Sequence, residues 1–269
     1  QTFVLNEACQ IAAADLWFTA RGTSKVVVQI RETSVGMPNQ TVLAEAILNP
    51  ADLVLGNNAT RVMFKAPVML QPETEYAMVV MCDDGVTSLA IAELGKSDPW
   101  YGAWVTSQPY QVGVLLSSSN ASTWTPHQDK DMTFRLLKAV YDETPLNVPL
   151  GEVTVHGATD LMLMGVSEQP AAACRVEYAV TMPDTSTLTL TDMQPVRFVQ
   201  PVTGALAVTA RLTGNKSAAP VLHPGTQLLA GITAQTADYI TRAVPAGQGS
   251  RVRVILDAYL PAGSAVTAK

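Results

Sequence analysis

Three histidines, His127, His156 and His223, are the side chains of this sequence best suited to proton transfer near neutral pH. His127 follows Pro126 in a Ser/Asn-rich stretch, His156 closes an apolar alternation, and His223 precedes Pro224-Gly225. None stands in a nucleophile or metal motif. The chain has no Gly-x-Ser-x-Gly elbow, no phosphate-binding Gly-rich loop, no His-Glu-x-x-His pair and no dinucleotide fingerprint. The sequence therefore predicts exposed turn histidines and no enzyme, with no catalytic residue assigned and no cofactor expected.

Carboxylates come next. Asp83-Asp84 sits in a turn, and Asp129 and Asp131 precede the run Met132–Leu137. Carboxylates two apart on a loop can contribute to the six to eight oxygens that calcium takes, so Asp129 and Asp131 are weak calcium candidates. The spacing is not that of an EF-hand loop, and the expectation is solvated turn carboxylates without a metal. A glycosidase would need a second acid at a defined separation, which nothing in the pattern indicates.

Aromatic rings are the denser signal. Trp100, Tyr101, Trp104, Tyr110 and Trp124 fall close together, interleaved with Gly102, Ser107, Gln108, Asn120 and Ser122. Flat rings with a hydrogen-bonding tip serve both sugar-binding and protein-binding surfaces. Trp104 and Trp124 suit the core or its end, whereas Trp100, Tyr101, Tyr110 and Trp124 are the candidates for ligand or receptor contact.

The elements that position these residues follow from a hydrophobic period of two. Val26–Ile30 and Val42–Leu48, separated by Gly36, Pro38 and Asn39, predict strand, tight turn, strand. Similar short apolar runs recur at Leu16–Phe18, Arg61–Phe64, Tyr76–Met81, Leu89–Ala92, Trp104–Ser107, Gly113–Leu116 and Met132–Leu137, with turn residues between them. Asn49-Pro50-Ala51-Asp52 predicts a single helical turn with Asn49 as its N-cap. The pattern is that of an all-β protein made of two β-sandwich domains. The first covers residues 1–141, residues 142–150 with two prolines form an extended linker, and residues 151–269 form the second, with strands at Glu152–His156, Asp160–Met164, Arg175–Met182, Leu188–Leu190, Ala205–Leu212, Gln227–Thr233, Tyr239–Ala243 and Arg251–Leu260.

Composition narrows the classes. With 48% hydrophobic and only 15% charged residues, the 269-residue chain suits a subunit whose faces are partly covered by neighbours. A net charge of −6 argues against nucleic acid as a partner, because phosphate neutralisation needs clustered Lys and Arg. No apolar stretch approaches the ~20 residues of a spanning helix, so no membrane insertion is expected. Cys9, Cys82 and Cys174 are odd in number, widely spaced and in or beside apolar strand-like runs, which predicts free, buried thiols and assembly in a reducing cytoplasm. Opening at Gln1 directly on a strand, the sequence is expected to continue from preceding polypeptide.

Six strings, in order, carry a resemblance: Gln1-Thr2-Phe3-Val4-Leu5; Val26-Val27-Val28-Gln29-Ile30-Arg31-Glu32 with Gly36-x-Pro38; Leu70-x-Pro72-x-Thr74-Glu75-Tyr76; Ile91-Ala92-Glu93-Leu94-Gly95; Ser107-Gln108-Pro109-Tyr110; and Asn120-x-x-Thr123-Trp124-Thr125-Pro126. Over about the first 140 residues the chain resembles the β-sandwich modules of tailed-bacteriophage baseplate and tail-fibre proteins. That resemblance implies jelly-roll-like domains, a homotrimer, other tail and baseplate proteins as partners, a place in the virion tail, and attachment to a host-surface glycan or protein. The residues alone leave open a carbohydrate-binding module of a bacterial secreted or surface protein.

Overall fold

The protein is all-β in the computed structural model, which describes residues 1–98, 100–107, 112–234 and 236–240, and residues 247, 253, 255–257, 260 and 265–267 near the C-terminus. Two compact units are present, Gln1–Ile232 and Thr233–Lys269. Of the strands expected beyond Ile232, Tyr239 and Ile240 are outside any strand and residues 241–243 lie outside the described residues; half of Arg251–Leu260 is described, at 253, 255–257 and 260, and none of it is in a strand.

The predicted hairpin forms. Strand Val26–Ser34 pairs antiparallel with Met37–Leu48, and Val35 and Gly36 make the turn with φ of 53° and 74°. Positive φ at both central residues matches the right-handed twist of the flanking strands. The turn is tighter than expected, because Pro38 and Asn39 already belong to the returning strand. That strand lies at the sheet edge, where a proline is tolerated.

Around this hairpin a four-stranded sheet adds Glu75–Cys82 and Thr2–Val4. A three-stranded sheet joins Phe134–Lys138, Cys9–Leu16 and Thr60–Leu70, with Cys9–Leu16 in the middle. Alternate residues of both sheets meet in one core that includes Phe3, Val28, Ile30 and Met78 from the first and Ile11, Leu16, Val62 and Leu70 from the second. Each such side chain contributes roughly 1.5–3 kcal/mol when taken out of water. The predicted helical turn is a 3-10 turn, Pro50–Asp52, whose Asp52 carboxylate accepts from the Asn49 N–H at 3.2 Å.

A second core gathers Val155, Leu161, Leu163, Val176, Tyr178, Val180, Leu190, Leu206 and Val208 on a five-stranded sheet. Its spine is a long antiparallel pair, Leu146–Met164 with Val196–Thr213, bent where the register shifts at Pro149/Gly151, Val155/Ala158 and Ala158/Asp160. The bends carry Leu161 and Leu163 onto the same core as Tyr178. Glu152–His156 and Asp160–Met164, read as two strands, are thus parts of one bulged strand.

The stretch expected as linker is only partly irregular, since Leu146–Leu150 already belong to that strand. The compact unit runs straight through it. Buried Gln10 ties the three-stranded sheet to the loop that follows Thr213: its side-chain amide works like a peptide group, with Nε2 donating to Ala219 O at 3.0 Å and Oε1 accepting from Ala219 N at 2.8 Å. Tyr141 N donates to Lys216 O alongside. Gln10→Ala is expected to lower unfolding free energy by about 1–3 kcal/mol, the cost of stranding buried polar partners. Urea denaturation read by circular dichroism checks this, and an unchanged midpoint would contradict the role given to Gln10.

Candidate binding surface

Residues Gly95–Val105 form a narrow hairpin that rises from the strand Ile91–Glu93. Gly95 N donates to Val105 O and Val105 N to Lys96 O, both at 2.9 Å, Ser97 bridges Trp104, and Asp98 N donates to Ala103 O at 2.7 Å. At the tip the Asp98 carboxylate accepts from the backbone N–H groups of Trp100 at 2.8 Å and Tyr101 at 3.2 Å. A short acidic side chain that bonds backbone two and three residues on holds a turn without help from the core. Gly102, at φ 65°, turns the chain back.

This construction projects its rings outward. Tyr101 is 78% exposed and Trp104 68% exposed, while Trp100 is half-buried. Trp104, read from the sequence as a core residue, is instead part of the exposed tip. Its neighbours alternate poorly, and an isolated bridge replaces the strand expected at 104–107. Tyr110 lies outside the described residues. Trp124 is half-buried and its indole N–H, shielded from solvent, meets no acceptor among the described residues. No ring contact among the described residues joins Trp100, Tyr101 and Trp124, so the sequence-predicted aromatic set splits into an exposed hairpin tip and an inward-turned ring.

Asp129 and Asp131 flank the base of the hairpin. Asp129 O accepts from Leu94 N at 3.0 Å, and Asp131 pairs with Ala92 in the ladder of Lys130–Met132 with Ile91–Glu93. The Asp131 carboxylate accepts from Gln1 Nε2 at 2.9 Å, and Gln1 Oε1 accepts from Met132 N at 3.0 Å. Among the described residues no three His, Cys, Asp or Glu side chains gather as a metal centre would require. Asp84, the other acidic candidate, is the hub of a turn: its carboxylate accepts from the backbone N–H groups of Thr23, Ser24, Val86 and Thr87. The Thr87 and Ser24 N–H groups are the leading cause of a carboxyl held far below its ordinary range. A Cβ at Gly22 would overlap this carboxylate, so the approach depends on glycine there.

The histidines divide. His156 is exposed, His223 Nε2 lies 2.7 Å from Glu168, and His127 Nε2 lies 2.8 Å from Ser117 Oγ across a two-strand ladder. The sequence placed His127 in a loop and missed Ser117, since nine intervening residues conceal the pairing. A Ser–His contact of this length is the first half of a nucleophile–base arrangement. No acidic partner orients His127 among the described residues, and the pair is solvent-exposed, without the enclosure that makes such a base effective.

A second surface went unread in the sequence. Asp15, 1% exposed, lies between Arg61 and Arg135 on the outer face of the three-stranded sheet, with direct cross-strand register on both sides. Arg61 Nε donates to Oδ1, and Arg135 donates to Oδ2 from Nε at 3.0 Å and Nη2 at 2.6 Å. The Arg61 hydrogen bond, and then that of Arg135, hold the Asp15 carboxyl below its usual range despite burial. Arg135 also lies over the Trp17 ring, 5.7 Å from its centroid, and the Trp17 indole donates to Asn57 O at 3.1 Å. The signal was present as Arg61, Asp15 and Arg135 on outward strand positions, but only strand pairing brings them into one row.

Two outcomes follow. Asp98→Ala should raise amide exchange at Trp100 and Tyr101 by about fivefold to tenfold, the loss of a hydrogen bond worth about 1 kcal/mol, with little change in global melting. Hydrogen-exchange mass spectrometry checks it, and unchanged exchange would contradict the capping role. Because the folded carboxyl of Asp84 is depressed, its stabilisation is complete above the ordinary value of 3.8 and is lost as pH falls below it. The destabilisation of Asp84→Ala relative to the parent should therefore be full at neutral pH and shrink below about pH 4. Denaturation across pH tests this, and a gap that widens in acid would contradict it.

Comparison of the chain with protein families, with curated proteins and with solved structures returns no match.

Proposed function

We propose that this chain is a structural and adhesive part of a tailed-bacteriophage tail, a fibre, tip or baseplate component that contributes to host attachment without catalysing a reaction. In this reading the two cores are two jelly-roll-like β-sandwich domains, and copies assemble as a homotrimer beside other tail and baseplate proteins. The observation that carries it is the hairpin tip, where Tyr101 and Trp104 stand exposed on a short, self-capped turn of an all-β scaffold. Large rings held in water cost free energy that contact with a partner recovers, and such residues dominate binding surfaces.

Assembly draws support from the long strand pair of the second core. Among the described residues Leu146–Thr154 pairs on one side only, with Val196–Thr213, and exposes Leu146, Leu150 and Val153, with Val199 on the companion strand. An open edge with apolar side chains is a template for a neighbouring chain. Repeated copies would turn weak contacts at the tip into avidity.

The exposed rings would also serve a carbohydrate-binding module of a bacterial secreted or surface protein. Position in a particle separates the two. Antibodies against the chain, applied to tailed particles from a lysate of the cells that carry its gene, should label the distal tail, and Tyr101→Ala with Trp104→Ala should lower retention on those cells by about tenfold with the fold intact. Label absent from tails, or retention unaffected by the double variant, would overturn this reading.

A further inference from the structure

The Arg61–Asp15–Arg135 row has more cation than its buried partner needs. An arginine carries five N–H donors. Arg61 spends two on Asp15, through Nε and Nη2, and Arg135 spends two through the same atoms, which leaves three on each without a protein acceptor among the described residues. Both side chains remain open to solvent, at 52% and 61% exposed, although the carboxylate that holds them is sealed. One negative charge thus orients two positive ones.

The surroundings extend the site. Along Thr60–Leu70 the burial alternates so that Arg61, Met63 and Lys65 all face outward, and Lys65 stands roughly 13 Å along the strand from Arg61. The row beside the arginines is Leu137, Ala13 and Met63, which adds an apolar step between the two cationic points. Asp15 is the one carboxylate among these outward positions of the three strands. In a chain of net charge −6, this sheet face is cationic. Arg135 is further fixed by Trp17, so its guanidinium plane is set before any ligand arrives.

From this arrangement we infer that the outer face of the three-stranded sheet binds an anionic surface polysaccharide through its sugar carboxylates. Arg61 and Arg135 take a carboxylate in their remaining N–H forks, Met63 packs under the sugar ring, and Lys65 meets the next charge along the polymer. Planar guanidinium groups match planar carboxylates with two parallel hydrogen bonds, and preset donors spend little entropy on capture. The inference rests on the reading of the chain as an attachment protein and names the chemistry of one of its ligands; the site is separate from the aromatic hairpin tip.

The test is biolayer interferometry of the full chain on immobilised polygalacturonate, poly(glycerol phosphate) and dextran. Binding is expected on polygalacturonate, weakening by about tenfold between about 50 mM and about 500 mM sodium chloride as the charges are screened. Arg61→Gln and Arg135→Gln should each lose about tenfold. Because either change leaves Asp15 with a single partner, two further variants guard against misfolding: Lys65→Glu, which does not touch Asp15, and the triple variant Asp15→Asn, Arg61→Gln, Arg135→Gln, which leaves no stranded charge. Both should also weaken binding while melting like the parent. Equal retention on dextran, preference for poly(glycerol phosphate), or unaltered binding by Lys65→Glu and the triple variant would overturn the inference. If the Tyr101→Ala, Trp104→Ala double variant loses retention on cells while the arginine and lysine variants keep polygalacturonate binding, the sheet-face site fails and the attachment reading stands.

Discussion

A strand can bury only every second side chain, and that alternation is the constraint on which the rest of this protein depends. It divides each strand into an inward row that makes a core and an outward row left for other uses. In the three-stranded sheet the inward row is Ile11, Ala14, Leu16 and Val62, while the outward row carries Asp15, Arg61 and Arg135. A one-residue slip in register would place an aspartate in the core and leucine in water, so the same energy that fixes the core also fixes the arginine row. Burial of Asp15 makes the arrangement mutual, because a sealed carboxylate keeps its charge only while the guanidinium groups remain in place.

The hairpin tip obeys a different rule. At the exposed tip the local bonds of Asp98 to Trp100 and Tyr101 do much of what packing does elsewhere. Tip geometry can therefore vary without cost to the cores, which is how a scaffold keeps a stable interior beside an adaptable surface. The chain thus offers two kinds of contact: exposed rings on a self-held loop, and oriented cations on a rigid sheet.

Much of the fold was legible from residue order. The Val26–Leu48 hairpin, the strand at Glu75–Cys82 and the turn at Pro50 follow from β-branched alternation and turn chemistry. Cys9–Leu16 was hidden because Ala12, Ala13 and Ala14 have little strand preference, yet as the central strand it needs small residues on crowded faces. Leu146–Leu150 looked like linker because of Pro149, which the open edge of its sheet accommodates. Trp104 was misplaced because ring size suggests a core, whereas the Asp98-capped turn carries it outward. The arginine row was beyond reach, since Asp15, Arg61 and Arg135 are distant in sequence and only pairing makes them neighbours.

We propose that this protein works by presenting surfaces and not by making or breaking bonds. The most direct measurement is incubation of the intact chain with surface polysaccharide purified from the bacterial cells that carry its gene, following bound protein and newly formed reducing ends in the same sample. Saturable binding with polymer length and reducing-end content unchanged is the predicted result. Release of reducing ends in proportion to protein and time, or no binding at all, would contradict it.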